Sequence, residues 1–326
     1  MGKGELVLTV RIGFVGAGGI ANHHMRSLTQ VQEAEMVAFC DVDPEKARSA
    51  ASTHGGRDYS SFNLMYDNES LDGVYICVPP FAHGDAELEA VRRGLALFVE
   101  KPVAATAHRA DEILKAVESS GTVTSVGYHW RYMDTVERAR QLIGTGAVGF
   151  AVGAWEGGMP GVSWWRRMEQ SGGQMVEQTT HIFDLARYLL GEVSRVHAFS
   201  RSGLMADVAD YSVHDACVTN LEFDSGVIAS ITSACMLSAG GQVGLDVFLK
   251  DQVLQITSMG LSVVGEGEET LSLANNPTAC EDQAFVEALA SGDVSGIRSD
   301  YADAVKTLKL TLGATRSAIE GKPVDL

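Results

Sequence analysis

The sequence lacks the features of disulfide-bonded, zinc-stabilised and membrane-spanning proteins. Its 326 residues include five cysteines, an odd number, which are widely spaced and form no C-x-x-C pair. A disulfide framework or a metal site is therefore not expected, and a reducing, cytoplasmic compartment is favoured. No apolar run approaches the ~18 residues of a transmembrane helix, so we expect no membrane span.

Basic residues are scarce as well. Lysine and arginine together number 25 against 42 aspartates and glutamates, which gives a formal net charge of −17. Nucleic-acid phosphates and anionic lipids both need a basic surface, so neither is expected as a partner. Apolar residues make up 45% of the chain, enough for a buried core, and the length favours two domains.

Short apolar runs alternate with helical patterns in the first part of the chain. The predicted strands are Thr9–Val15, Met36–Asp41, Val74–Val78, Ala96–Val99 and Val123–Val126. Fully apolar strands separated by helices are typical of a parallel sheet that is covered on both faces. We therefore predict an α/β domain over residues 1–127.

The pattern changes after Gly127, where a second domain over 128–326 is predicted. Strand-like segments follow one another here and indicate an open, mostly antiparallel sheet. They lie near Val148–Trp155, Val193–Arg201, Val213–Phe223, Val227–Met236, Leu245–Leu249, Val253–Ile256 and Leu261–Val264. The predicted helices are Asp134–Ile143, Gln174–Leu190, Glu281–Ala290 and Tyr301–Glu320, and the last of these could pack back on the first domain.

A dinucleotide fingerprint follows the first predicted strand. Gly16–Ala21 has the form G-x-G-x-x-A, in which the glycines allow a tight turn and a close approach of pyrophosphate to the backbone. Asp41 ends the second strand 20 positions after Ala21, close to the usual spacing for an acid that binds the ribose. Because its carboxylate would repel a 2′-phosphate, NAD is expected rather than NADP.

Four motifs now occur in the order seen in one known family. They are Gly16–Ala21, Asp41–Asp43, Glu100–Pro102 and a Gly-Gly…Glu-x-x-x-His-x-x-Asp run over 172–184. With the ending Ser317–Val324, they make the whole chain resemble the glucose–fructose oxidoreductase/inositol dehydrogenase (Gfo/Idh/MocA) family. The resemblance implies an N-terminal Rossmann domain and a C-terminal α+β domain, whose open sheet commonly forms homodimers or homotetramers.

Lys101, Glu177 and His181 are the candidate catalytic residues. Lys101 follows a strand at the carboxyl end, where open α/β sheets bind ligands. Glu177, His181 and Asp184 share one face of the predicted helix through their i, i+4, i+7 spacing, and the resemblance places that helix against nicotinamide. A histidine suits a general base, Glu177 could orient it, and Lys101 could stabilise alkoxide charge.

The remaining candidates follow from the same motifs and the resemblance. Expected cofactor ligands are Gly16, Gly18, Gly19, Ile20, Ala21, Asp41, Pro79, His83, Glu100 and Lys101. Expected substrate ligands are Arg131, Trp165, Arg166 and Asp184. The adjacent His23 and His24 are not expected to bind metal, because neighbouring residues on a helix point apart.

Three positions depart from the family pattern. Glu177 stands where dehydrogenase members usually have Asp, which leaves its contact with His181 open. His129 and Trp130 interrupt the Gly-Phe/Tyr-Asn-x-Arg-Phe/Tyr pattern that surrounds Arg131 in many relatives. No particular substrate can therefore be transferred to this chain.

These features predict an NAD-dependent dehydrogenase that oxidises a secondary hydroxyl of a sugar, inositol or related polyol. Two alternatives stay open. Some relatives cleave glycosidic bonds through transient oxidation by tightly held NAD, and others are non-catalytic regulators that bind a dinucleotide. The presence of both Lys101 and His181 argues against the regulator.

Overall fold

A six-stranded parallel sheet forms the first part of the protein, for which a computed structural model describes residues 8–144 and 146–326. The strands are β1 Val10–Val15, β2 Ala34–Cys40, β3 Arg57–Tyr59, β4 Gly73–Ile76, β5 Ala96–Val99 and β6 Thr124–Val126. They lie in the order β3-β2-β1-β4-β5-β6. The order reverses beside β1, and open sheets bind ligands at such a switch point.

Helices connect these strands. They are α1 Gly19–Leu28, α2 Pro44–His54, α3 Phe62–Asn68, α4 Asp85–Arg92 and α5 Ala107–Ser120. The Asp43 carboxylate caps α2 by accepting from the Glu45 N–H, and Pro44 occupies the first turn. Sequence patterning missed β3 and α3, because both are short and β3 has little apolar character.

The second part of the protein contains a nine-stranded sheet. Its strands are β7 Val148–Glu156, β8 Val193–Arg201, β9 Ala216–Phe223, β10 Ile228–Ala234, β11 Val243–Leu249, β12 Gln252–Thr257, β13 Gly260–Gly265, β14 Glu269–Ser272 and β15 Val324–Asp325. The order is β14-β13-β12-β11-β7-β10-β9-β8-β15, and only β7 and β10 pair in parallel. The predicted mostly antiparallel sheet is thus confirmed, and the predicted division after residue 127 falls between β6 and β7.

The helices of this part are α6 Asp134–Ile143, α7 Met168–Ser171, α8 Gln174–Glu177, α9 Thr180–Leu190, α10 Pro277–Ser291 and α11 Tyr301–Glu320. Of these, α6, α8, α9 and α11 pack on the nine-stranded sheet. In the described part of the chain, none of the helices is both long and apolar enough to cross a membrane.

The prediction of one helix over Gln174–Leu190 is wrong, since α8 and α9 are separate. The Thr179 N–H donates to the Gln174 carbonyl five residues back at 2.9 Å, whereas the His181 N–H reaches only three residues back to Gln178 at 3.3 Å. The hydrogen-bond register therefore slips at Gln178–Thr179. As a result, regular helical spacing no longer places Glu177 and His181 on one face.

The last two helices return to the first sheet. Phe285 of α10 lies edge-on to Tyr75 and Phe98, with ring centroids 5.6 and 5.7 Å apart. The N–H of the buried Tyr301, at the start of α11, donates to the Thr124 hydroxyl of β6 at 3.0 Å. The C-terminal segment therefore joins both halves of the protein.

A buried arginine, Arg131, forms ion pairs at the junction between the two halves of the protein. The guanidinium of Arg131 donates to both carboxylate oxygens of Asp184 in α9 at 2.8 and 2.6 Å, and it pairs with Asp303 of α11. Thr307 also donates to Asp184 at 2.9 Å. Arg131 and Asp184 were expected to bind substrate, but their polar groups are paired inside the protein, so we assign them to the fold.

Asp184→Ala should lower the free energy of unfolding by roughly 3 kcal/mol, because it leaves the buried Arg131 cation without its bidentate partner. Asp325→Ala, which removes only an exposed ion pair with Arg195, should leave the unfolding midpoint nearly unchanged. Urea unfolding followed by circular dichroism measures both variants. Equal losses would contradict the assignment of the Arg131–Asp184 pair to the fold.

Candidate active site

The turn after β1 has the geometry of a dinucleotide-binding loop. Gly16 has φ +91°, and a Cβ at this position would lie 2.2 Å from the Cys77 carbonyl oxygen. Only glycine fits there without strain. Ala21 is fully buried between α1 and the sheet, so the small third residue allows the helix to pack closely on the strand.

The start of α1 offers an open cradle for an anion. A Cβ at Gly18 or Gly19 would meet no atom of the described structure within 4 Å. Gly18 caps α1 without a side-chain hydrogen bond, so the first N–H groups of the helix lack a side-chain partner. These groups and the helix dipole suit a pyrophosphate, and Ile20 beside them is exposed.

Asp41 is held at the end of β2. Its carboxylate accepts from the Ala17 N–H at 2.7 Å and from the Asp43 N–H at 2.9 Å. These bonds join the acid to the glycine turn and leave further lone pairs for ribose hydroxyls. The residues present therefore fit NAD: a glycine cradle for its pyrophosphate and a carboxylate for its ribose.

Pro79 and His83 lie in the turn after β4, the next strand of the switch point. His83 is buried, and its Nδ1 lies 2.5 Å from the Glu87 carboxylate in the first turn of α4. Its Nε2 has no hydrogen-bond partner among the described residues. The cofactor contact expected of His83 therefore stays a prediction, with Nε2 as the nitrogen that is free to make it.

Lys101 links the carboxyl end of β5 to the second half of the protein. Its Nζ donates to the Glu177 carbonyl at 2.9 Å and to the Glu177 carboxylate at 3.0 Å. Burial alone would lower the pKa of Lys101, but the charges of Glu177 and Glu100 outweigh it and raise the pKa. The side chain is therefore a cation at neutral pH.

Glu177 is shared between Lys101 and a tryptophan. Its second carboxylate oxygen accepts from Trp165 Nε1 at 2.7 Å, and the Trp165 side chain is fully buried. Trp165, expected to bind substrate, thus positions Glu177 instead. Arg166 beside it has a buried Nε with no hydrogen-bond partner among the described residues, and it remains a candidate substrate ligand.

His181 lies in an aromatic setting. Its ring stacks on Trp155 at a centroid distance of 5.5 Å and meets His129 edge-on at 4.9 Å. Burial lowers the pKa of His181 well below its usual range, and the nearby Lys101 and His129 charges lower it further. The imidazole is therefore neutral at neutral pH.

The expected contact between Glu177 and His181 is not formed. Both carboxylate oxygens of Glu177 are taken by Lys101 and Trp165, and His181 Nδ1 has no hydrogen-bond partner among the described residues. The register slip between α8 and α9 explains this separation. Trp155 and His129 are the ring neighbours of His181, and the sequence patterns did not predict these two contacts.

Glu100 turns inward rather than towards the cradle. Its Oε2 accepts from the Lys101 N–H at 3.0 Å, and its Oε1 lies 3.0 Å from His24 Nε2. His24 Nδ1 in turn lies 2.7 Å from Asp282 Oδ1. All three side chains are buried, so the expected cofactor contact of Glu100 is at most indirect.

Comparison with protein families agrees with this geometry. The model of an oxidoreductase family with an NAD-binding Rossmann fold, Gfo/Idh/MocA, matches residues 10–128. The model of the Gfo/Idh/MocA C-terminal domain matches residues 136–256. Together they span the first sheet, most of the second and most of the chain.

Three relatives are distant in sequence but match nearly the whole chain. An inositol 2-dehydrogenase of Rhizobium meliloti is 26% identical over 98% of this chain and 100% of its own. A scyllo-inositol 2-dehydrogenase (NAD⁺) of Bacillus subtilis is 26% identical over 97% of this chain and 96% of its own. The WlbA dehydrogenase of Bordetella pertussis, crystallised with NADH and UDP-GlcNAcA, shares the fold with a TM-score of 0.86 at 20% identity, covering 98% of each chain.

Gly18→Ala should leave the fold intact and weaken NADH binding on the order of tenfold, because the methyl group would occupy the cradle. Gly16→Ala should instead lower stability by more than the ~1–2 kcal/mol of a left-handed residue, since its Cβ also meets the Cys77 carbonyl. NADH fluorescence titration and thermal unfolding separate the two effects. Unchanged NADH affinity in Gly18→Ala would rule out the proposed position of the pyrophosphate.

Proposed function

Because the chain belongs to the Gfo/Idh/MocA family of NAD-binding oxidoreductases, we propose that it oxidises a secondary hydroxyl of a sugar, inositol or related polyol. The named inositol dehydrogenases among its relatives support this substrate class. One observation carries the proposal: the Lys101 ammonium, at the carboxyl end of β5, is fixed by Glu177 of the second half of the protein, and its charge acts on the buried, neutral His181.

The two residues have complementary roles in alcohol oxidation. The substrate C–H bond breaks with its electron pair, the hydroxyl loses its proton, and a carbonyl forms. Bound NAD supplies the hydride acceptor. His181 accepts the hydroxyl proton. Its lowered pKa keeps the imidazole neutral at neutral pH, and only the neutral ring has a free nitrogen lone pair for the proton. The Lys101 ammonium stabilises negative charge on the substrate oxygen as the proton leaves.

Glu177 acts on Lys101 rather than on His181. It fixes the ammonium through two oxygen atoms, its carbonyl and its carboxylate, and is itself held by the Trp165 indole. The partly exposed face of Trp155, next to His181, suits the C–H surface of a sugar ring, and Arg166 suits its hydroxyl groups. These assignments are part of the proposal.

The first experiment measures NAD⁺ reduction on sugars, sugar acids and inositols by nicotinamide absorbance, with wild type and Lys101→Met compared. Turnover of one compound that is lost in the variant, with NADH binding retained, would support the dehydrogenase. Cleavage of an aryl glycoside without net NADH formation would favour the transient-oxidation alternative. Dinucleotide binding without any turnover would favour the regulator.

A cytoplasmic location is part of the same proposal. The five cysteines, Cys40, Cys77, Cys217, Cys235 and Cys280, are all free thiols, and four of them are buried. Thiols persist in a reducing compartment. Fractionation of the native host should recover the protein with a cytoplasmic marker enzyme.

The outer face of the nine-stranded sheet supports a homo-oligomer. Phe150 and Val152 of β7 and Ile228 of β10 are exposed there and line a groove of about 450 Å³. Val218 of β9 and Phe199 of β8 extend the exposed apolar surface. A contiguous apolar sheet face of this kind is typical of an interface between identical subunits, so we propose a homodimer or homotetramer.

Lys101→Met should lower kcat on the order of 10²-fold, because one charge-stabilising donor is lost. The acid limb of its pH profile of kcat/KM should also move. In the wild type the pKa of His181 lies below 6.5, so the base stays deprotonated and active below that pH. Removing the Lys101 cation raises this pKa, and the acid limb of kcat/KM should move to higher pH. Lys46→Met, at an exposed lysine on α2, is the control. An acid limb of kcat/KM that does not move in Lys101→Met would contradict the proposed effect of the Lys101 charge on the pKa of His181.

Ile228→Asp should convert the oligomer into monomers, because it places a charge in the apolar face without a partner. Light scattering coupled to size-exclusion chromatography measures the mass. Leu64→Asp, at a similarly exposed residue on α3 of the first domain, is the matched control and should keep the wild-type mass. A monomeric wild type would overturn the proposed assembly.

A further inference from the structure

A fully buried histidine connects the cofactor helix to the catalytic lysine. His24 lies on the inner side of α1, and each of its ring nitrogens faces a carboxylate: Asp282 at 2.7 Å and Glu100 at 3.0 Å. A neutral imidazole can donate through only one nitrogen. Two carboxylate partners therefore favour the imidazolium, which donates through both.

The acidic groups around His24 favour this charge state. Asp282 and Glu281 approach from α10, Glu100 from the end of β5, and Tyr75 and Cys77 from β4 and its end. Lys101 and His129 are the other titratable groups that act on the cluster, and His23, the neighbour of His24 on α1, is exposed. Burial would lower the pKa of His24, but the charges and hydrogen bonds of Asp282 and Glu100 outweigh it and raise the pKa well above its usual range.

Glu281 carries the second charge that could disturb this cluster. Burial, opposed by the His24 charge and assisted by the charges of Asp282 and Glu100, raises the pKa of Glu281 well above its usual range. We therefore take Glu281 as neutral, which leaves one cation between two carboxylates. The Tyr75 hydroxyl donates to Asp282 at 3.2 Å and satisfies part of that carboxylate.

The Glu100 carboxylate is held by contacts at both of its oxygen atoms. Its Oε2 accepts from the Lys101 N–H. A Cβ at residue 127 would lie 2.4 Å from its Oε1, so the carboxylate occupies the space that a side chain at Gly127 would need. Burial would raise the pKa of Glu100, but the hydrogen bond and charge of His24 outweigh it and lower the pKa. His24 is thus the main partner that keeps Glu100 ionised.

We propose that His24 is a positioning residue of the reaction: as a cation it holds the Glu100 carboxylate in place beneath Lys101 and ties both to the cofactor helix α1. The inference rests on the proposed function, because it assigns Lys101 to the reaction. His24 touches neither substrate nor nicotinamide in this role. It acts through Glu100, whose carboxylate fixes the backbone N–H from which the Lys101 side chain extends.

The charge state can be tested without substrate. The ring nitrogens of ¹⁵N-labelled histidine are followed by NMR from pH 6 to 9, with the His24 signal identified by its loss in His24→Gln. The proposal predicts that His24 keeps both ring protons at pH 7 and above, and His23→Gln should leave the signal in place. A neutral His24 at pH 7, or a stoichiometric metal ion in the purified protein, would overturn the proposal.

Kinetics test the positioning role. His24→Gln should lower kcat on the order of tenfold with little change in NADH affinity, whereas His23→Gln should match the wild type. Without its cation the buried Glu100 protonates more readily, so the acid limb of kcat should move up by about one pH unit. His24→Gln combined with Glu100→Gln should show no further shift of the limb and no larger loss than Glu100→Gln alone.

The positioning role would be overturned if the decreases in kcat of the two single variants multiply in the double variant. It would also be overturned if the acid limb does not move in a folded His24→Gln protein. If His24→Gln does not fold, Asp282→Asn weakens the same cation from its other side and should move the limb in the same direction by less. An imidazolium seen by NMR together with no turnover of any compound would count against the proposed function, not against the charge state of His24.

Discussion

A row of alternating charges joins the cofactor helix, the first sheet and the second half of the protein. It runs from Asp282 through His24, Glu100 and Lys101 to Glu177. Side-chain contacts of 2.7 to 3.0 Å join His24 to both of its acids and Lys101 to Glu177, whereas Glu100 accepts from the backbone N–H of Lys101 at 3.0 Å. Each charge is largely removed from water, so each depends on its neighbours for compensation. Removing one of the three inner members takes a partner from both of its neighbours, which makes the row a single electrostatic unit.

The slip between α8 and α9 determines what the end of this row can do. With a continuous helix, Glu177 would lie one turn from His181 and could orient its imidazole. The slip instead directs both carboxylate oxygens to Lys101 and Trp165. The longer arm of Glu177, compared with the usual Asp, is used to reach across to β5. His181 is consequently held by ring packing against Trp155 and His129 rather than by a carboxylate.

Much of the fold was predictable because it is encoded locally. The glycine turn, the Asp43 and Thr106 caps and the apolar strands of the first sheet each act over a few residues, and α6 and α11 begin and end as predicted. The position of Lys101 at a strand end follows from the same local signals.

The partners of the site residues were not predictable, because they depend on contacts distant in sequence. Arg131 meets Asp184 from 53 residues away, and His24 meets Asp282 from 258 residues away. No periodicity could show that these charges are paired internally rather than offered to a ligand. The slip at Gln178–Thr179 was likewise hidden, since the apolar pattern continues through it.

The lowered pKa of His181 poses a question of energetics, since a weak base must take a proton beside the Lys101 cation. The total charge of the site provides the answer. With NAD bound, the positive charges before oxidation would be the oxidised cofactor and Lys101, and afterwards they would be the His181 imidazolium and Lys101. In the proposed mechanism His181 would therefore gain its proton as hydride transfer neutralises the cofactor, and the total positive charge of the site would not increase. Lys101 meanwhile favours the departure of the same proton by stabilising the substrate oxygen. A histidine kept neutral by its surroundings would thus suit this reaction. It would be available as a base until hydride transfer lowers the free-energy cost of protonating it.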